Sequence, residues 1–195
     1  MAEFDPAALR AKGETFRLLD PTCGSGHFLL GSFERLFERR LRAEPGLEVR
    51  AAASKALGAV YGADVNPYAV AIARFRLVLA FVEKGGGRRI GEVPRVEVNV
   101  VVADSLLHNP QLEQTTFAGL EGQSVRDWQG DEFALEDEEA ARNVLHRRYA
   151  AVVGNPPYIT VKDKVLRERY RGMYRSAAGK YSVAVPFTER FFHLA

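Results

Sequence analysis

A mainly parallel α/β domain is the fold class this sequence predicts. Two observations carry the prediction. Short apolar runs alternate with helical stretches along the chain. Three of those runs close on an aspartate, at Asp20, Asp64 and Asp104, and a fourth leads into Asn155. Open α/β sheets bind ligands at the carboxyl ends of their strands. Polar groups at four such ends therefore point to one shared site.

Each element follows from local chemistry. Phe16-Arg-Leu-Leu-Asp20 is a short apolar run ending in an acid, so it reads as the first strand. Pro21-Thr-Cys-Gly-Ser-Gly26 turns the chain. Apolar residues at positions 29, 30, 33, 36, 37 and 41 then keep a helical period. Ala59 to Ala63 is a second strand, closed by Asp64. Asn66 and Pro67 suit the N-cap and first turn of a helix that runs to about Lys84 and stops at Gly85-Gly-Gly87. Val96 to Val102 is β-rich and leads to Asp104. Residues 108 to 131 are polar and glycine-bearing, which predicts a loop. Residues 131 to 148 predict a helix, acidic at Glu136-Asp-Glu-Glu139 and basic at Arg147-Arg148, the order the helix dipole favours. Ala150 to Gly154 is a fourth strand. Residues 162 to 175 form a basic loop or helix, and Ser182 to Leu194 is apolar enough for a packing helix.

Composition narrows the class. With 47% hydrophobic and 27% charged residues the chain is neither disordered nor membrane-embedded in character. A net charge of +2 decides nothing about nucleic acid. The lone Cys23 excludes an internal disulfide framework and favours a reducing, cytoplasmic setting. No uncharged stretch approaches membrane-spanning length, so no membrane partner is expected. His27, His108, His146 and His193 are scattered without metal-ligand spacing, so no metal site is expected.

Two segments carry chemistry. In Asp20-Pro-Thr-Cys-Gly-Ser-Gly26, Gly24 and Gly26 let the backbone turn sharply and approach a ligand with no Cβ in the way. The spacing is not GxGxxG, which argues against a dinucleotide. The loop also reads simply as a strand-to-helix turn, with Cys23 as a small residue filling it. An acid such as Asp64 at a strand end can accept both hydroxyls of a ribose. Asn155-Pro-Pro-Tyr158 places an amide, two rigid carbonyls and an aromatic ring just past a strand. Such a group accepts hydrogen bonds from an amine and stacks on a flat ring. Prolines also end strands for purely structural reasons. Lys162 to Lys180 holds seven basic and two acidic residues, suited to phosphates or to a solvated face.

In this order, Asp20–Gly26, Asp64, Asp104 and Asn155-Pro-Pro-Tyr158 resemble the gamma-arrangement amino-group DNA methyltransferases. Asp20 to Leu30, Tyr61 to Arg76 and Ala103 to Leu107 are similar to the adenine methyltransferases of phage-growth-limitation (BREX) defence systems. Lys180 to Phe192 is similar to the helix that follows the catalytic motif in those enzymes. The resemblance implies a Rossmann-like S-adenosylmethionine-dependent methyltransferase fold. It implies cofactor contacts from Asp20, Pro21, Cys23, Gly24, Gly26, Asp64, Val65 and Asp104. In that reading Asp64 takes the ribose, Val65 packs near the cofactor's adenine and Asp104 accepts from its amino group. Asn155, Pro156, Pro157 and Tyr158 would be catalytic on the N6 amine of a flipped adenine. Lys162, Lys164, Arg167 and Arg171 would meet DNA. DNA is the implied partner, with other phage-defence proteins beside it.

Complete enzymes of that kind carry a further cofactor segment before the glycine loop, and later strands and a target-recognition region after it. Here 19 residues precede Asp20. The expectation is therefore a partial catalytic domain over residues 1–195, with the first four strands and no recognition region. The isolated chain is then expected to methylate poorly. Two alternatives share these motifs: a methyltransferase acting on guanine N2 of RNA or on protein glutamine, and a non-catalytic cofactor-binding fragment.

Overall fold

The computed structural model describes residues 16–87, 96–110 and 137–195. Among these, four strands form one parallel sheet in the order β3-β2-β1-β4. The strands are β1 (Leu18–Asp20), β2 (Val60–Asp64), β3 (Asn99–Val102) and β4 (Ala151–Val152). The helices are α1 (His27–Ala43), α2 (Val49–Leu57), α3 (Pro67–Lys84), α4 (Glu138–Leu145), α5 (Lys164–Met173) and α6 (Ala184–Leu194). This is the mainly parallel α/β architecture the sequence predicts.

The register aligns the strand ends that matter. Leu18 pairs with Val60 and Asp20 with Gly62. Asp64 pairs with Val102. On the other side of β1, Leu19 pairs with Val152. The chain therefore lays β2 and β3 to one side of β1, then crosses back to lay β4 on the other. Strand order reverses between β1 and β4, and ligands of open α/β sheets bind at such a switch point.

Both faces of the sheet are covered, as a parallel sheet requires. Leu29, Phe33, Ala52, Ala56, Val70, Leu77 and Val100 belong to one core cluster, formed where α1, α2 and α3 pack on one face. The opposite face carries Leu19, Tyr61, Ala63 and Val101 against Ala141, Val144 and Leu145 of α4. A third cluster joins α5 and α6 to Leu106 through Tyr170, Met173, Tyr174, Val183 and Phe187.

Several boundaries differ from expectation. The helix α2 was not foreseen. Its buried face is Ala52, Ala53, Ala56 and Leu57, and small residues of this kind leave a weak apolar signal. The third strand begins at Asn99 rather than Val96. The fourth spans Ala151–Val152 rather than Ala150 to Gly154, although the Val153 amide still donates to the Leu19 carbonyl at 2.9 Å. The helix expected over 131–148 spans Glu138–Leu145, with Asp137 as its N-cap accepting from the Ala140 amide at 3.0 Å. Residues 131–136, and most of the loop expected over 108–131, lie outside the described residues. The basic segment at 162–175 resolves as helix α5, started by Asp163, whose carboxylate accepts from the Val165 and Leu166 amides.

Candidate active site

The glycine loop is shaped by positive φ angles. Gly24 has φ 50° and Gly26 φ 82°, values that L side chains rarely adopt. A Cβ on Gly26 would stand 2.9 Å from the Ala73 Cβ, so the start of α1 lies tight against α3. A Cβ on Gly24 would meet nothing within 4 Å, so the backbone there faces open space. Arg76 of α3 donates to the Ser25 carbonyl at 2.9 Å and pins the far side of the loop.

Asp64 does more than end β2. Its Oδ2 accepts from the Gly24 amide at 2.8 Å and its Oδ1 from the Asn66 amide at 2.9 Å. It thus closes the glycine loop onto the second strand, and each oxygen keeps a further lone pair. Its neighbour Val65 is 43% exposed.

Asp20 is 1% exposed. Its Oδ1 accepts from the Thr22 amide at 2.9 Å and from the Thr22 hydroxyl at 3.2 Å. Burial pushes its pKa up to about 6, with the Asp64 charge adding and the Thr22 hydrogen bonds opposing. Pro21 is buried, and its carbonyl accepts from the Ser105 hydroxyl at 2.8 Å, tying the loop after β1 to the loop after β3. Cys23 is buried against Gly62, and burial holds its thiol well above the ordinary range. A thiol so held is a packing group, not a nucleophile.

Asn155-Pro-Pro-Tyr158 emerges beside this loop. Gly154, the residue before it, has no room for a side chain. A Cβ there would stand 2.7 Å from Thr22 Oγ1, 2.8 Å from Phe191 Cζ and 3.0 Å from Asp20 Oδ1. The backbone leading into Asn155 is therefore pressed against the carboxylate that closes β1. Asn155, Pro157 and Tyr158 are exposed, Pro156 half-buried, and the Tyr158 ring is 78% exposed. After the motif, the Ile159 carbonyl accepts from the Val183 amide at 2.8 Å, which fixes its exit to the start of α6.

Asp104 is 9% exposed and points into the third core cluster. Its Oδ1 accepts from the Leu106 amide at 2.9 Å and the Leu107 amide at 3.3 Å, and its Oδ2 from the Tyr170 hydroxyl at 2.7 Å. Burial raises its pKa; Tyr170 and the two amides oppose.

The basic residues are not equivalent. Lys162 and Lys164 are exposed. Arg167 is half-buried. Arg171 is tied down: it bonds Glu168 at 2.6 Å, donates to the Gly179 carbonyl, and lies over the Tyr181 ring at 6.0 Å. Reading a charge run from sequence could not separate these states. Thr22, Ser105, Gly154 and Tyr170 are contributors that motif reading passed over. Only Tyr170 left a signal: it sits on α5 four residues before Tyr174, the residue that caps the helix.

An open cleft of about 590 Å³ lies at the opposite edge of the sheet, lined by Arg50, Leu57, Tyr61, Phe81 and Asn99 among others. It touches none of the motif residues.

The family model for the Eco57I restriction-modification methylase matches residues 59–195 of this chain. The chain belongs to the Eco57I restriction-modification methylase family. It is 42% identical over 194 residues to the adenine-specific methyltransferase PglX of Streptomyces coelicolor, covering 98% of this chain and 16% of that protein. It is 35% identical over 103 residues to a putative type II restriction enzyme and methyltransferase of Methanocaldococcus jannaschii, covering 48% of this chain and 9% of that one. The chain thus spans less than a fifth of the length of either relative. Among solved structures, its fold is similar to DrdV in a DrdV–DNA complex, with TM-score 0.53 and 18% identity, over 90% of this chain and 16% of that one. It is likewise similar to the restriction-modification enzyme LlaBIII bound to DNA, with TM-score 0.50 and 19% identity, over 83% of this chain and 10% of that one.

Proposed function

We propose that this chain is the core of an adenine-specific DNA methyltransferase that moves a methyl group from S-adenosylmethionine to N6 of a flipped adenine. The single observation that carries the reading is the contact of Gly154 with Thr22 and Asp20 at the switch point. It sets Asn155-Pro-Pro-Tyr158 immediately beside the glycine loop.

The residues present fit the cofactor. The open backbone at Gly24 allows close approach. Asp64 keeps acceptor capacity on both oxygens for two hydroxyls, and exposed Val65 offers an apolar surface beside them for a purine. Buried Asp20, beside Asp64, gives the loop negative character suited to a cation. When bound, S-adenosylmethionine supplies an electrophilic methyl group on a positively charged sulfur.

The protein's task is to make the nitrogen nucleophilic. An exocyclic amine shares its lone pair with the ring. The Asn155 side-chain oxygen and the Pro156 carbonyl accept from its two N–H groups. This draws the nitrogen toward tetrahedral geometry and frees the lone pair. Pro156 and Pro157 stiffen the backbone, so the acceptors are held in place beforehand. Holding nitrogen and methyl near contact is worth ~7–11 kcal/mol of the barrier. Tyr158, largely exposed here, stacks on the target base, which leaves the duplex at a cost of about a few kcal/mol. Lys162 and Lys164, exposed just after the motif, meet phosphates, with Arg167 behind them.

Asn155→Ala tests the reading. With an adenine-bearing duplex and labelled cofactor, methyl transfer should fall at least ~100-fold while S-adenosylhomocysteine binding stays within about twofold. An unchanged rate removes the catalytic assignment. DNA, RNA and protein acceptors offered separately decide the substrate class.

A further inference from the structure

Helix α6 meets the segment that carries the Asn-Pro-Pro-Tyr motif at successive points, in antiparallel order. The Leu194 carbonyl at its end accepts from the Tyr149 amide at 2.8 Å, just before β4. About one turn earlier, the tip of the Phe191 ring reaches Gly154: a Cβ there would stand 2.8 Å from Phe191 Cζ. At the helix start, the Val183 amide donates to the Ile159 carbonyl at 2.8 Å. Phe191 therefore stands at the entry of the motif and Val183 at its exit.

Between these two points the chain has no tethers of its own. The Val153 amide donates to the Leu19 carbonyl at 2.9 Å. Among the described residues, no hydrogen bond then holds Gly154, Asn155, Pro156, Pro157 or Tyr158. The prolines stiffen the loop but do not decide where it points. Its direction is set at its ends. At Gly154 the missing Cβ is crowded by Thr22 and Asp20 from the glycine loop and by Phe191 from α6. The helix itself is fixed from elsewhere: Arg190 donates to the Ser105 and Leu145 carbonyls at 3.0 and 2.7 Å, and Glu189 accepts from the Ser176 amide at 2.8 Å.

We propose that α6 is a splint for the Asn-Pro-Pro-Tyr loop and that Phe191 is its positioning residue. The ring holds the backbone at Gly154, so that the Asn155 side-chain oxygen and the Pro156 carbonyl keep one fixed place beside the glycine loop. This rests on the methyltransferase reading above. Groups that act on a reacting atom must be held to within about 0.5 Å. A misplacement of about 1 Å costs on the order of 100-fold in rate.

The experiment compares the wild-type chain with Phe191→Leu and Phe81→Leu. At position 191 leucine keeps an apolar filling but loses the ring tip that reaches Gly154. Phe81, near the end of α3, is buried in the first core cluster, so Phe81→Leu makes the same change away from the motif. Nitrogen-15 relaxation reads the backbone amides of Asn155 and Tyr158. Their order parameters should stay near about 0.85 in the wild type and Phe81→Leu, and fall below about 0.6 in Phe191→Leu. Single-turnover methyl transfer to an adenine-bearing duplex should fall about 10–100-fold in Phe191→Leu, while S-adenosylhomocysteine affinity stays within about twofold. Unchanged order parameters in Phe191→Leu overturn the proposal. So does an unchanged rate with a loosened loop, since the splint would then hold no catalytic geometry. An equal effect of Phe81→Leu, or loss of circular-dichroism signal in Phe191→Leu alone, also overturns it, because each makes the ring merely structural. A wild type that neither binds S-adenosylhomocysteine nor transfers methyl sinks the methyltransferase reading instead, and the relaxation data still decide whether α6 splints the loop.

Discussion

Gly154 is the residue on which the two motif loops meet. Its missing Cβ lets Thr22, Asp20 and Phe191 close around the backbone that leads to Asn155. Gly154→Ala should cost about 1–3 kcal/mol of stability, the usual result of overpacking. Gly172→Ala is the control: it sits inside α5 with nothing within 4 Å of a new Cβ, and should stabilise by roughly 0.5–1 kcal/mol. Urea midpoints of the two variants check the contrast. Asp20 brings a pH dependence. Its pKa of about 6 lies above the free-carboxylate value of 3.8, so the fold favours its protonated form. By itself this contributes stability that is fully present below about pH 4 and lost as pH rises through about 6. A bound cation favours the ionised form. Binding near pH 6 should therefore release a proton, and affinity should weaken as pH falls below that value. Calorimetry in two buffers of different ionisation enthalpy should differ at pH 6 and agree at pH 8. Identical heats at pH 6 would remove Asp20 from the cation's surroundings. Of these properties the sequence showed the residues and their order. It did not show that Asp20 is sealed in, because Gly154, far along the chain, packs beside it and Thr22.

Elements were legible where a cap or a strong period marked them. Asn66 does accept from the Tyr68 and Ala69 amides, and α3 begins at Pro67 as its composition demands. The α1 period buries Leu29, Phe33 and Phe37. The helix α2 escaped because its buried face is mostly alanine, and alanine marks no side of a helix. Helix α5 shows the opposite difficulty. Its charges are prominent in sequence, but its working contacts are Tyr170 on the face turned inward and Tyr174 at its C-cap. Arg171, prominent as a charge, is engaged by Glu168, Gly179 and Tyr181 instead of facing outward as an open cation. Which face of a basic amphipathic helix matters is decided by what it packs on.

At the scale of the molecule, Arg190 joins three parts of the fold. It is 1% exposed on α6, donates through Nε to the Ser105 carbonyl at 3.0 Å, and reaches the Leu145 and His108 carbonyls through Nη2. It ties the loop after β3 and the end of α4 to the last helix. Arg190→Leu keeps an apolar filling but strands those carbonyls. Each buried group left unmet costs about 1–3 kcal/mol, so the variant should lose about 3 kcal/mol or more. A fall of under about 1 kcal/mol in urea unfolding would contradict this role. By itself the sequence determined the α/β class, the polar ends of the strands and the two motifs, because periodicity, caps and turn chemistry act over a few residues. Only the tertiary structure decided that β4 lies beside β1. Strand order depends on which buried faces the crossing segments cover, and that is a property of the whole core. The same packing pressed Gly154 onto Asp20 and turned Tyr170 onto Asp104, so that separate strand ends became one site.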